Sequence, residues 1–76
     1  MKNKKNMEID NGRTIIYGVY SHLTNGYLIY YRNISDAIKL LEDRIYENTT
    51  LDYSRSVLID DESGDVLIAV HPIVLN

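Results

Sequence analysis

Asn33-Ile34-Ser35-Asp36-Ala37-Ile38-Lys39-Leu40-Leu41-Glu42-Asp43-Arg44-Ile45 is the stretch that decides the fold of this 76-residue chain. Ile34, Ala37, Ile38, Leu41 and Ile45 recur at intervals of three and four, the spacing that lines one face of an α-helix. Lys39, Glu42, Asp43 and Glu47 fall off that stripe, on the side left to water. Ser35 is placed to accept a hydrogen bond from a free backbone amide of the first turn, and Asp36 suits the positive end of the helix dipole. The spacing predicts one helix over Ser35–Glu47, ended by Asn48-Thr49-Thr50.

On both sides of this segment the period returns to two. Thr14–Tyr20 and Tyr27–Tyr31 are rich in Ile, Val and Tyr, which suit a pleated, half-buried surface. They are separated by His22-Leu23-Thr24-Asn25-Gly26, a few turn-forming residues that read as the loop of a hairpin. Ser56–Asp60 and Asp65–His71 form a second such pair around Asp61-Glu62-Ser63-Gly64. Gly18, inside a strand, marks a bulge or the close approach of another backbone. Pro72 cannot donate to a ladder, so the last strand is at an edge there or ends there. Met7–Ile9 can pair back across the turn Asp10-Asn11-Gly12-Arg13, and Leu51–Arg55 reads as a connection in which Leu51 and Tyr53 plug the edge of the core. The expected architecture is α+β: an antiparallel sheet of about four strands, made of two hairpins with one helix between them, in ββαββ order. Residues 1–8 read as a flexible basic start and residues 9–76 as a single domain.

Composition narrows the function classes. The chain has no cysteine, so disulfides and thiolate metal sites are excluded, and with only two histidines, His22 and His71, a dedicated zinc cage is not expected. Its net charge is −3, with a basic run only at Lys2, Lys4 and Lys5, whereas nucleic-acid binders usually carry a basic footprint to neutralise phosphate. No run approaches the ~20 apolar residues that span a bilayer. The lysines are followed by Met-Glu-Ile-Asp rather than by an apolar core, so no secretory signal is read there and the expected compartment is the cytoplasm. Asn33-Ile34-Ser35 and Asn48-Thr49-Thr50 match the glycosylation pattern, which needs a secretory route.

Each cluster with chemical potential has a plain structural reading. Asp60, Asp61, Glu62 and Asp65 surround Ser63-Gly64, but a calcium loop wants glycine at its sixth position and a bidentate Glu at its twelfth. Counted from Asp60, Gly64 is fifth and the twelfth residue is His71. A solvated hairpin turn fits better. His22 and His71 could serve as bases, yet Ser21, Ser54 and Ser56 sit in no recognisable nucleophile motif. Gly12, Gly18, Gly26 and Gly64 have no phosphate-loop spacing. The tyrosine runs lack the basic-glycine-aromatic signature of RNA-stacking sheets.

What stands out is a surplus of apolar faces. In the first strand Ile15, Tyr17 and Val19 oppose Ile16 and Tyr20. In the second, Tyr27, Ile29 and Tyr31 oppose Leu28 and Tyr30, and in the fourth Val66, Ile68 and Val70 oppose Leu67 and Ala69. One helix covers one face of such a sheet, and the other should then alternate to polar. It does not. Either the chain's own ends, the N-terminal segment and the tail Ile73–Leu75, fold over the second face, or a second polypeptide does. The sequence favours the latter, so the expected function is that of a small non-enzymatic protein–protein interaction module, homodimeric and cofactor-free. Its size and acidity resemble those of phage or mobile-element regulators and inhibitors of host proteins, which is an analogy of class. Tyr17, Tyr20, Tyr27 and Tyr30 are the candidate anchors, because a tyrosine ring is apolar while its hydroxyl tolerates water. Leu40 and Tyr46, off the main stripe, either widen the buried face of the helix or meet a partner along it. The rival functions are a small enzyme or ligand-binding domain with a dimer-interface pocket lined by Tyr and His22 or His71, and a nucleic-acid accessory protein acting through Lys2, Lys4, Lys5 and Arg13.

Overall fold

A computed structural model describes residues 9–10 and 13–75. The elements run β1 (Ile9–Asp10), β2 (Arg13–Ser21), β3 (Gly26–Tyr31), α1 (Ile34–Glu42), β4 (Thr49–Asp52), β5 (Val57–Asp60) and β6 (Val66–Leu75). All strand pairs are antiparallel and form one sheet. The sheet is five strands wide, β3-β2-β6-β5-β4, with the two-residue β1 lying against the same side of β2 as β3. The α+β class, the two hairpins and the single helix between them stand as read from the sequence; the four-strand count does not.

The additional strand, β4, occupies the stretch expected to be a connection. Leu51 pairs with Leu58 and is buried, so it enters the core as an edge-strand residue. Tyr53 does not plug the core. It is exposed, and its hydroxyl donates to the Glu42 carboxylate at 2.7 Å, tying the end of β4 to the end of the helix. At the other end of the chain, Ile9 pairs with Thr14, which realises part of the expected Met7–Ile9 pairing. Residues 1–8 lie outside the described residues.

The helix is shorter than its apolar stripe. It starts one residue earlier, at Ile34, and stops five earlier, at Glu42. Ser35 is therefore inside the helix, and its first boundary is Asn33, whose side chain makes no capping bond. After Glu42 the amides of Arg44 and Ile45 bond back only three residues, to Leu41 and Glu42, so the last turn tightens and ends. Asn48 then takes a positive φ of 69°, and the Thr49 hydroxyl bonds the amide and carbonyl of Tyr46. The physical reason is reach. The chain must cross the sheet and enter β4 at its far edge, so it leaves the helix where the core beneath it ends. Ala37 and Leu41 are fully buried, while Ile34 and Ile45, the two ends of the stripe, are 44% and 45% exposed.

The core lies between α1 and one face of the sheet. Val19, Leu51, Leu58, Ile68 and Val70 meet Ala37 and Leu41, with Tyr17, Tyr31, Ile38, Leu40 and Leu67 packed around them. Leu40 thus widens the buried face, the plainer of its two expected roles. The last strand neither ends at Pro72 nor turns aside. It continues to Leu75 along β2, pairing Pro72 with Tyr17, Ile73 with Ile16 and Val74 with Ile15. β5 pairs with β6 only up to Ala69, so at Pro72 the second side of β6 is an edge and the missing donor costs no ladder bond.

Candidate functional site

The site begins with an irregularity in register. β2 and β3 pair Tyr17 with Tyr31, Gly18 with Tyr30 and Val19 with Ile29, and then Tyr20 with Tyr27, which leaves Leu28 without an opposite number. This β-bulge resets the alternation of β3. Tyr30, opposite Gly18, and Tyr27, opposite Tyr20, come to the same face, and it is the face away from the helix. Simple alternation had put them on opposite faces. Gly18 is a point of close approach, but the group that approaches is a side chain rather than another backbone, and the bulge lies in β3, across from Val19 and Tyr20.

Gly18 is where the cluster is seated. A Cβ there would lie 2.7 and 2.8 Å from two carbons of the Tyr27 ring and 3.0 Å from Ile73 Cδ1. The Tyr27 ring therefore rests directly on the backbone of β2. Its hydroxyl lies 3.0 Å from His71 Nδ1, and His71 pairs with Gly18 from the other side. Tyr20 stacks on His71 with centroids 5.5 Å apart and planes 22° from parallel, and meets Tyr27 edge-on at 5.1 Å. Tyr30 lies 5.2 Å from Tyr27, and His22 and Tyr20 form a T-shaped pair with centroids 5.1 Å apart. Such contacts are worth about 0.5–1.5 kcal/mol each beyond area burial.

Around this cluster the same face carries Ile16 and Ile73 towards one end of the sheet and Val57, Ala69 and Ile59 towards β4. By the pairing, the charged strand residue on this face is Asp52 in β4, whose carboxylate pairs with Arg55 at 3.0 Å. The tail Ile73–Leu75 extends the sheet rather than covering the face, so that part of the self-sealing alternative is overturned. Among the described residues, nothing crosses this surface.

The predicted anchors separate cleanly. Tyr20, Tyr27 and Tyr30 are brought together, with Tyr30 52% exposed. Tyr17 points the other way, half-buried against the core. Leu40 is also in that core, and Tyr46 stands exposed in the turn after the helix. The sequence reading left His71, Ile16 and Ile73 out of the site. His71 shares the parity of Ala69, so its face was readable. Its contact with Tyr27 was not, because the bulge creates it.

Elsewhere the polar groups serve turns. Ser21 is buried, and its Oγ accepts the amides of Leu23 and Thr24. Ser54 donates to Asp52 at 2.7 Å. The Asp60 carboxylate accepts the amides of Glu62 and Ser63, Asp61 accepts the Thr50 hydroxyl, and Gly64 takes a φ of 77° to close the turn. Among the described residues no three of His, Cys, Asp and Glu are gathered closely enough to hold a metal ion. A shallow groove of about 350 Å³ is lined by His22, Leu23, Asp65, Val66 and Leu67, with no tyrosine in its wall. Lys2, Lys4 and Lys5 lie outside the described residues, as does the side chain of Arg13. No described helix is long and apolar enough to cross a membrane. Comparison with protein-family models, curated proteins and solved structures finds no match for the chain.

Proposed function

We propose that this chain is a protein-interaction module without catalytic chemistry of its own, that its docking surface is the helix-free face of the sheet, and that a second copy of the chain occupies it. The observation that carries the reading is the course of β6. Its tail lengthens the sheet, leaving Tyr20, Tyr27, Tyr30 and His71 with Ile16 and Ile73 on an open face. A domain of this length buries only about 60% of its unfolded surface. Burying a large apolar side chain contributes about 1.5–3 kcal/mol, so an uncovered face forfeits stabilisation that a small domain lacks elsewhere.

The size of the face argues for a second sheet as occupant. At ~3.4 Å rise and ~4.8 Å spacing, the five strands have a flat footprint on the order of 500 Å². The relief of the aromatic rings raises the accessible area towards the ~800 Å² per partner of a stable interface. An apolar, tyrosine-rich patch over β3, β2 and β6, with the Asp52–Arg55 pair and the Thr50–Asp61 bond at the opposite margin, also has the mixed apolar and polar anatomy of such an interface. Sheet-on-sheet packing about a two-fold axis would place the two clusters against each other.

The test is the concentration dependence of unfolding. Association stabilises by mass action, so the melting temperature of the wild type should rise with protein concentration. Ile73→Lys, which puts a charge on this face beside Gly18, should weaken that rise. A wild-type melting temperature independent of concentration overturns the reading.

A further inference from the structure

The two edges of the sheet are unlike. β4 is four residues long, carries Asp52, and has Thr50 held to Asp61 at 2.6 Å. A short, charged strand is the usual protection against unwanted pairing. β3 has no such protection. It is six residues of Gly-Tyr-Leu-Ile-Tyr-Tyr with neither charge nor proline, pairs among the described residues only with β2, and its central residues Tyr27, Leu28, Ile29 and Tyr30 are 40–52% exposed.

We infer that β3 is a second self-association surface, which pairs antiparallel with β3 of another copy about a two-fold axis between Leu28 and Ile29. Self-pairing about a two-fold axis requires a segment that reads the same in both directions, since residue i meets j and j meets i. Tyr27-Leu28-Ile29-Tyr30 does so in kind: aromatic, aliphatic, aliphatic, aromatic. It sets Tyr27 of one copy opposite Tyr30 of the other, and Leu28 opposite Ile29. Residues directly opposite must share a face, and in a regular strand Tyr27 and Tyr30 would not. The bulge at Leu28 puts them on one face, so here the irregularity that usually disrupts an edge makes the two-fold register consistent. Arg32, just past the strand, falls opposite Asn25, so no like charges meet. Cross-strand aromatic pairs contribute roughly 0.2–1 kcal/mol each; the backbone bonds of the two free edges supply the rest.

This contact lies in the plane of the sheet and is independent of packing on the helix-free face. Both can be made at once, and with their two-fold axes crossing at right angles they close into a tetramer. Pairing at β3 also merges two tyrosine clusters into one continuous aromatic strip.

Sedimentation of the full chain and two variants tests this, with folding of each checked by circular dichroism. Leu28→Lys places a charge at the centre of the β3 edge, where its side chain is already exposed. Ile73→Lys disables the face alone. The wild type should sediment as a tetramer and each variant as a dimer. A second readout needs no substitution: amide exchange in Gly26–Tyr31 of the wild type should slow as concentration rises. A wild-type mass unchanged by Leu28→Lys, with exchange in β3 independent of concentration, overturns the edge contact and leaves the face reading standing. A monomeric Leu28→Lys beside a dimeric Ile73→Lys supports the edge and overturns the face reading. A monomeric wild type overturns both.

Discussion

Gly18 is a glycine because the Tyr27 ring takes the space of its side chain, and the consequence is measurable. In Gly18→Ala the new methyl would press on two ring carbons at under 3 Å. Overpacking typically costs about 1–3 kcal/mol. Because Tyr27 is part-exposed, the ring should yield by swinging outward and losing its contact with His71. Urea unfolding should show the loss, and proton contacts between the Tyr27 and His71 rings should vanish. An unchanged midpoint with the contacts intact would mean that Gly18 does not seat the cluster. Two titrations belong to the same scale. Hydrogen bonds from the Ser54 hydroxyl and then from Arg55 hold the Asp52 carboxyl below the usual carboxylate range. Its contribution is present above that range and is lost as pH falls through the lowered value. Tyr53 is shifted the opposite way: its bond to Glu42, and then partial desolvation, raise the phenol above its ordinary value. The stability from that bond is full below about pH 10 and is lost as pH rises through the raised value. Absorbance titration should find, among the seven tyrosines, a late-ionising one that Tyr53→Phe removes. A titration curve without that late component in the wild type would contradict it.

At the scale of the element, the helix offers a paired experiment. Leu41 is fully buried and Ile45 is 45% exposed, although the sequence places both on one stripe. Leu41→Ala should cost about 2–5 kcal/mol. That is a large share of a total stability of roughly 4–11 kcal/mol for a chain this long, so the unfolding midpoint in denaturant should drop steeply. Ile45→Ser should change stability by no more than about 0.5 kcal/mol. Equal effects in denaturant titration would restore the longer helix that the stripe suggests. The contrast also shows what the sequence could and could not convey. Period three-four at Ala37, Ile38 and Leu41 and period two at Val19, Ile68 and Val70 were legible because each residue's partners lie across a regular layer. The end of the helix was not, because it is set by the distance to β4 and not by anything in Asp43–Ile45. β4 itself escaped because Thr49–Asp52 carries one buried residue, Leu51, too few for a period to show. The two-faced apolar character of β2 was read from the sequence; the joining of Tyr27 to Tyr30 was not, because a bulge is a property of a strand pair.

At the scale of the whole molecule, the described residues form two layers, one helix on one sheet. β6, ten residues long, spans ~34 Å at strand rise, while the nine-residue α1 spans ~14 Å. The helix therefore covers only the middle of one face, and among the described residues no element packs over the opposite face. Sedimentation equilibrium of the purified full chain at micromolar concentration tests most directly the proposal that a second copy covers the helix-free face. The predicted result is a mass of at least twice the monomer's, falling with dilution, and falling at any given concentration in Ile73→Lys. A chain that sediments as a monomer throughout, while remaining soluble and well folded, would contradict it.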